Sequence, residues 1–429
     1  MKISDGIKGI QFKGLIEYDF ARGFNLLSEA DFLQMENVSF YKKVKNGGHH
    51  ICQLLISILT PAFISHYNKS DGSKIIFLLA PPGVQGRRKD IASLFHKISH
   101  LTEICDQLSF DYKYWKNVSI RRTFVLIYSI IIWYSQLHGT RLSLRKKIIV
   151  LHELSFLFDF QRLLKNLPLY KLALVFYDAN LYNNFFVQYF KHKGIKTATL
   201  QHGVMVSSRP DVKNNLDFIG IEFKGSISDY FLAWNEFTKQ EAIKSGIPEE
   251  KIKVLGVAKC IGQKPYIRTI KSQKTLGVLL DGIYSNINNE KMIKVIDDFC
   301  TRHEYQYILK YHPAYKGNEF DNSMSERGRS LPLNTTLEDL INQTDSIIVA
   351  NSTALFELAC LNVRFYRFRT ERELDKFRDL RIPMFSSSEE LEKIINMDWK
   401  EIKKAYDSEI SVNQTPETLY RTFLLEHSL

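Results

Sequence analysis

The chain has 429 residues, a net charge of +11, 45% hydrophobic residues and 24% charged residues. That composition excludes a disordered chain, a collagen-like repeat and a coiled coil. It leaves apolar material for more than one core, and the length suggests about two to three domains.

Five cysteines, Cys52, Cys105, Cys260, Cys300 and Cys360, are scattered without a CxxC or a close pair. Such a set argues against a disulfide framework or a zinc knuckle and for a reducing, cytoplasmic setting. The opening MKISDGIKGIQFKG has no apolar stretch after its basic residues, so no signal peptide is expected. Lys and Arg are spread along the chain without an RNP-like, zinc-finger or helix-turn-helix pattern, so nucleic acid is not an expected partner. Anionic small molecules or an anionic membrane surface fit the charge better.

In chain order, Gly48–Phe63 reads as helical. Ile75–Ala80 is a short apolar run stopped by Pro81-Pro82-Gly83, as a buried strand would be. Phe124–Tyr134 (FVLIYSIIIWY) is eleven residues long, well short of the roughly 20 needed to span a bilayer. It admits two readings. One is a buried core element, which its length favours. The other is a surface docking on the inner face of the plasma membrane, since Arg121, Arg122, Arg141, Arg145, Lys146 and Lys147 flank it.

Further strands are expected at Lys146–Leu151, Leu172–Tyr177, Lys196–Gln201, Tyr230–Trp234 and Lys253–Leu255. Helices are expected at Asn183–Lys193 and Glu236–Ser245, the latter stopped by Gly246 and Pro248. The polar stretch Cys260–Lys274 reads as a linker. The alternation then restarts, with strands at Thr275–Leu280, Tyr305–Tyr311, Ser346–Ala350 and Val363–Phe368. Helices lie at Glu290–Arg302, Thr336–Asn342, Thr353–Leu361, Ser388–Asn396 and Thr415–Glu426.

Short apolar strands alternating with helices predict α/β architecture with parallel sheets covered on both faces. We expect an N-terminal Rossmann-like domain over 1–262 with a helical extension and a linker over 263–274. A C-terminal Rossmann-like domain would occupy 275–410, and a terminal helix 411–429.

Ligands of such sheets bind beyond the strand carboxyl ends, so chemistry is sought there. Gln201-His202-Gly203 follows a strand. His202 suits a general base at working pH, or is a structural histidine bonded to a neighbouring loop. Gly203 allows a sharp turn or a close approach to an acceptor. Asp178, at another strand end, is a reserve base, and Arg209 could reach an anionic acceptor.

In the second half, Pro313 stops a strand and holds His312 at the rim, where it could neutralise a phosphate leaving group. Asn351-Ser352-Thr353 precedes a helix. Ser or Thr there caps the helix, and the capped end offers N–H groups to a phosphate. Glu357, one turn on, either accepts bonds from ribose hydroxyls or sits in solvent. Asp281-Gly282 is foremost a turn signal and secondarily a donor contact. GxGxxG, GxxxxGK[ST], HExxH, GxSxG and Asp-x-Asp are all absent from the sequence, so no metal or cofactor is expected.

These spacings resemble a GT-B glycosyltransferase, two Rossmann-like, doubly wound domains facing each other across a cleft. ISDYFLAWNEFTKQEAIKSGIPEEKIKVLG is similar to the closing stretch of the N-terminal domain in that fold. The run from YILKYHP to DSIIVANSTALFELACLN resembles the donor half of enzymes that build bacterial surface polysaccharides. These are capsular sialyl- and polysialyltransferases, Kdo transferases, and CDP-glycerol glycerophosphotransferases of teichoic acid synthesis. The likeness spans Leu172–Leu361.

It implies that His312 of the HP motif and the Ser352/Thr353 pair contact the donor phosphate, and that His202 is the base. Leu280-Asp281-Gly282 departs from the sialyltransferase acidic motif, which has two acids before the Gly and lies in the N-terminal domain. The function so implied is metal-independent transfer from a nucleotide-sugar donor to a capsule, lipopolysaccharide or teichoic-acid type glycan, free or lipid-linked. Its alternatives are a CDP-polyol phosphotransferase, a nucleotide-sugar epimerase or hydrolase on the same scaffold, and a non-catalytic glycan-assembly protein.

Overall fold

The computed structural model describes residues 3–20, 54–55, 58, 62–68, 72–78, 89–112, 119–179, 181–201, 203, 226–266, 274–282, 285–371, 375–410 and 412–428. The first half runs α1 (Ile3–Ile7), β1 (Ala62–Asn68), β2 (Ile75–Leu78), α2 (Lys89–Ser99), β3 (Cys105–Tyr112), α3 (Ile120–His138) and α4 (Leu144–Leu164). It continues through β4 (Leu172–Val175), α5 (Leu181–His192), β5 (Lys196–Leu200), β6 (Tyr230–Ala233), α6 (Glu236–Lys244) and β7 (Ile252–Val254). The second half holds β8 (Thr275–Leu279), α7 (Asn286–His303), β9 (Gln306–Lys310), β10 (Gly328–Ser330), α8 (Leu337–Gln343) and β11 (Ser346–Val349). It ends with α9 (Ala354–Cys360), β12 (Phe365–Phe368), β13 (Met384–Phe385), α10 (Ser388–Asn396), α11 (Trp399–Ile410) and α12 (Pro416–Glu426).

The strands form two sheets, a seven-stranded one in the order β1-β3-β2-β4-β5-β6-β7 and a six-stranded one in the order β10-β9-β8-β11-β12-β13. All pairs are parallel except β1 with β3. Strands β2, β4 and β11 are buried along their whole length. This is why they read as continuous apolar runs, since a parallel sheet covered on both faces has no polar side. Two Rossmann-like, doubly wound sheets make this a GT-B-type fold. Among the parallel strands each order reverses once, between β2 and β4 in the first sheet and between β8 and β11 in the second. A ligand crevice opens at such a reversal.

Three expectations are corrected. Lys146–Leu151 is no strand: it lies inside the 21-residue helix α4, which Ser143 caps by accepting the Lys146 N–H. The four apolar residues Ile148–Leu151 fit either element, and the buried stripe Val150, Leu154, Leu157, Phe160 and Leu164 shows that the helical period wins. Strands β1 and β3 have no counterpart among the expected elements. Strand β3 reads CDQLSFDY, and its Asp106 is buried yet satisfied by the hydroxyls of Tyr67, Ser73 and Tyr170. Phe124–Tyr134 is the body of α3, and only one side of that helix is core. The helix expected over Gly48–Phe63 lies largely outside the described residues, and its last two positions open β1.

The halves meet at their carboxyl edges. Trp234, just past β6, packs edge-on against Phe356 of α9 at 6.0 Å between ring centres. Phe237 of α6 packs against Phe356 and against Phe377. Beside them the backbone N–H of Tyr266 donates to the carbonyl of Leu361 at 2.7 Å. Helix α12 then returns to the first half, where Tyr420, Phe423 and Leu424 are buried with Ile75, Phe77, Phe95 and Leu172.

Candidate functional site

The second sheet's reversal point is built by Asp281 and Asn351, which follow β8 and β11. The Asn351 N–H donates to both carboxylate oxygens of Asp281 at 3.1 Å. Asn289 of α7 closes the other side. Its Oδ1 accepts the Asp281 N–H at 3.0 Å, and its Nδ2 donates to the Asp281 carbonyl at 2.9 Å. Burial pushes the Asp281 carboxyl up to about 6, against the N–H of Asn351 and the charges of Lys376 and Arg367, which favour ionisation. Asp281 thus ties two loops together and is not open to a donor. Asn351 is equally committed: its Oδ1 accepts the Lys376 N–H at 3.1 Å and its Nδ2 donates to Thr370 at 3.2 Å.

On this frame His312, after β9, lies over Gly282. A methyl at Gly282 would meet the imidazole at 3.7 Å, so the ring covers the glycine without forbidding a side chain there. Nδ1 of His312 accepts the Ala314 N–H at 3.2 Å. That assigns the ring proton of the neutral form to Nε2. Desolvation, then the cations Lys310 and Lys376, hold the imidazole below its usual range. His312 is therefore a neutral Nε2–H donor at the rim, with Pro313 exposed beside it.

Ser352 and Thr353 lie on the adjoining loop, both partly exposed. Thr353 occupies the cap position of α9 without a side-chain cap bond, while Ser352 Oγ accepts the Ala354 N–H at 3.3 Å. Helix α9 has only seven residues, and a dipole that short adds little, so the hydroxyls matter more than the helix end. Glu357 neither sits in solvent nor stands free. Its Oε1 accepts from Lys259 Nζ at 2.9 Å, joining α9 to the short turn Ala258–Cys260 of the first half.

In the first half, Asp178 lies at the β2/β4 reversal and is fully buried. Its Oδ2 accepts the N–H groups of Ile227 and Ser228 at 2.8 Å and the Ser226 hydroxyl at 3.0 Å. Burial raises its pKa. This buried carboxylate anchors the chain leading into β6 through its Oδ2, a structural role beside the reserve-base expectation.

His202 and Arg209 lie outside the described residues. Their neighbour Gln201 is locked, with Oε1 accepting the Trp234 N–H at 2.7 Å and Nε2 donating to Gly203 O at 2.9 Å. Gly203 has no positive φ, and a Cβ there would meet nothing within 4 Å. The backbone there is not in the left-handed region that favours glycine.

Sequence reasoning missed Lys376 and its support. Arg367 of β12 is fully buried and ion-paired with Asp375, and its Nη1 donates to the Phe377 carbonyl at 2.9 Å. That pair pins the segment carrying Lys376, whose charge acts on both Asp281 and His312. An arginine inside the apolar run VRFYRF was the one available signal. Among the described residues no three of His, Cys, Asp and Glu are grouped as metal ligands would be.

No known family model matches the chain, and no curated protein matches it. Solved structures do. The UDP-GlcNAc 2-epimerase of Methanocaldococcus jannaschii is 14% identical, with 82% of this chain and 99% of that chain covered and a TM-score of 0.47. The enzyme of Neisseria meningitidis, solved with UDP-GlcNAc, is 11% identical over 82% and 98% of the two chains, with a TM-score of 0.47. The wall teichoic acid polymerase TagF, as its H444N variant, is 13% identical over 67% and 76%, with a TM-score of 0.39.

Proposed function

We propose that this chain is a glycosyltransferase that binds a nucleotide-sugar donor at the β8/β11 reversal and moves the sugar to a bacterial surface glycan. The observation that carries the reading is the set of neutral and cationic donors at one sheet edge. Ser352 and Thr353 follow Asn351 in the Asp281–Asn351 tie, the Lys376 N–H donates to Asn351 Oδ1, and His312, with its Nε2–H donor, lies over Gly282 beside them. A leaving nucleoside phosphate gains negative charge as the glycosidic bond breaks. Donors already held in place stabilise that charge more in the transition state than in the ground state. His202 would take the proton of the acceptor hydroxyl, and Arg209 would hold an anionic acceptor.

A sugar epimerase on this scaffold is the second reading. It needs free carboxylates around the sugar ring. Among the described residues at the two reversal points and on α9, Asp178 and Asp281 are buried and bonded, and Glu357 is ion-paired. That favours transfer over epimerisation.

Thermal denaturation with CMP, CDP, UDP, GDP or ADP tests the donor site. A nucleotide at about 100 times its dissociation constant should add about 2.7 kcal/mol. One nucleotide is expected to raise the melting temperature clearly, and His312→Ala should weaken it about tenfold, the worth of a bond to a charged group. No shift with any nucleotide would sink the reading. Incubation with the matching nucleotide-sugar then separates the alternatives: isomerised sugar without an acceptor means an epimerase, and free nucleotide without an acceptor means a hydrolase.

A further inference from the structure

Helix α3 carries two apolar stripes on opposite sides. The inner one, Leu126, Trp133 and Leu137 with Arg122 and Ser129, is buried. It is anchored by the Arg122–Asp159 ion pair and by Trp133 Nε1, which donates to the Lys13 carbonyl at 3.0 Å. The outer one recurs at helical spacing and faces solvent: Ile120 is 75% exposed, Phe124 69%, Tyr128 63% and Ile131 62%, with Ile127 and Tyr134 beside them. Folding the helix therefore does not need the outer stripe, and an apolar row of this size on a surface marks an interaction site.

Charge identifies the occupant. From Tyr112 to His152 the sequence holds eight Lys and Arg residues and no Asp or Glu. Of these, Arg122 is neutralised by Asp159. Arg121 at one end of the helix and Arg141 beyond the other are exposed, and Lys146 and Lys147 are partly so. A second copy docking through the same face would bring like charges together in a two-fold contact. An anionic lipid surface satisfies both features, taking the apolar row among its acyl chains and the cations among its headgroups.

We propose that α3 lies flat in the interface of an anionic membrane, outer stripe inward. Among the described residues no helix is long and apolar enough to cross a membrane, so the contact is peripheral. Tyr128 and Tyr134 sit at headgroup level. The inference does not depend on the transferase reading, and its test reads no nucleotide.

Sedimentation with vesicles of phosphatidylglycerol and phosphatidylcholine, against phosphatidylcholine alone, tests it. The full chain is expected to pellet with the anionic vesicles and to be released by salt. Phe124→Ser with Ile131→Ser should cut binding by about tenfold or more, as two apolar side chains leave the lipid. Arg121→Glu with Arg141→Glu keeps the stripe and should cost about fivefold per site. The same charge change at exposed Lys400 and Lys404 of α11 should leave binding nearly unchanged. Circular dichroism checks that each variant is folded, and the two kinds of variant test the proposal separately. It is overturned if wild type stays in the supernatant at low salt, or if the α11 variant loses as much as the Arg variant. It is equally overturned if the chain is a dimer that Phe124→Ser with Ile131→Ser dissociates.

Discussion

At the scale of the residue, the site depends on groups held away from their usual protonation. Asp281 titrates near 6 when folded, against an ordinary 3.8. Between about pH 4 and 6 the folded chain keeps a proton that the unfolded chain has lost, so this group's contribution falls as pH rises through that window and is level above it. The effect is on the order of 2–3 kcal/mol. Buried Asp178 acts in the same direction. Asp281→Asn keeps an oxygen for the Asn351 N–H but has no proton to lose. Denaturant unfolding from pH 4 to 7 should show a shallower decline in the variant than in wild type, and parallel curves would mean that Asp281 does not titrate there. Lys376 belongs to the same scale. If its ammonium faces the donor phosphate, Lys376→Ala should weaken nucleotide binding about tenfold, the loss of a bond to a charged group. Lys376→Arg should restore part of that affinity by calorimetric titration. Equal affinity in all three proteins would remove Lys376 from the site.

At the scale of the element, the buried Arg367–Asp375 pair holds β12 to the segment beside the site. Removing one partner leaves a charge without compensation in the core. Arg367→Met should therefore cost about 3–5 kcal/mol, and adding Asp375→Leu should recover much of it. Urea unfolding of the three proteins checks this, and additive losses would show that the pair is not coupled. The same elements show what the sequence can display. The strands around both reversal points were legible because a strand covered on both faces has no polar side, and Leu172, Ile308 and Ile348 announce it. Strand β3 was not, because Asp106 is tolerated inside only through the hydroxyls of Tyr67 and Tyr170, residues distant in sequence. Helix α4 reads as a strand in the sequence because the four apolar residues Ile148–Leu151 fit either period. His312 and Ser352 could be picked out because a strand end is a local feature. Lys376 could not, because what places it is a pair of charges whose partnership exists only after β12 and the following segment fold together.

At the scale of the whole molecule, the chain crosses between its halves twice, once after β7 and once before α12. Helix α11 closes the second core with Ile402, Tyr406 and Ile410, and α12 then closes the first with Tyr420, Phe423 and Leu424. The first sheet is thus covered by a helix that reaches it only after the chain has traversed the second half. The aromatic joint of Trp234, Phe237, Phe356 and Phe377 adds a direct contact. The Lys259–Glu357 pair adds little, being partly exposed. Two halves linked in this way should melt as one unit. Leu424 is fully buried, and Leu424→Ala should cost about 2–5 kcal/mol. The loss falls on the contact through which the second half supports the first. Scanning calorimetry should therefore resolve two transitions in the variant where wild type shows one, with the first half melting earlier. A single transition in the variant would instead assign the coupling to the aromatic joint. Phe356→Ala, which empties that joint without touching α12, would then be the substitution that separates the halves.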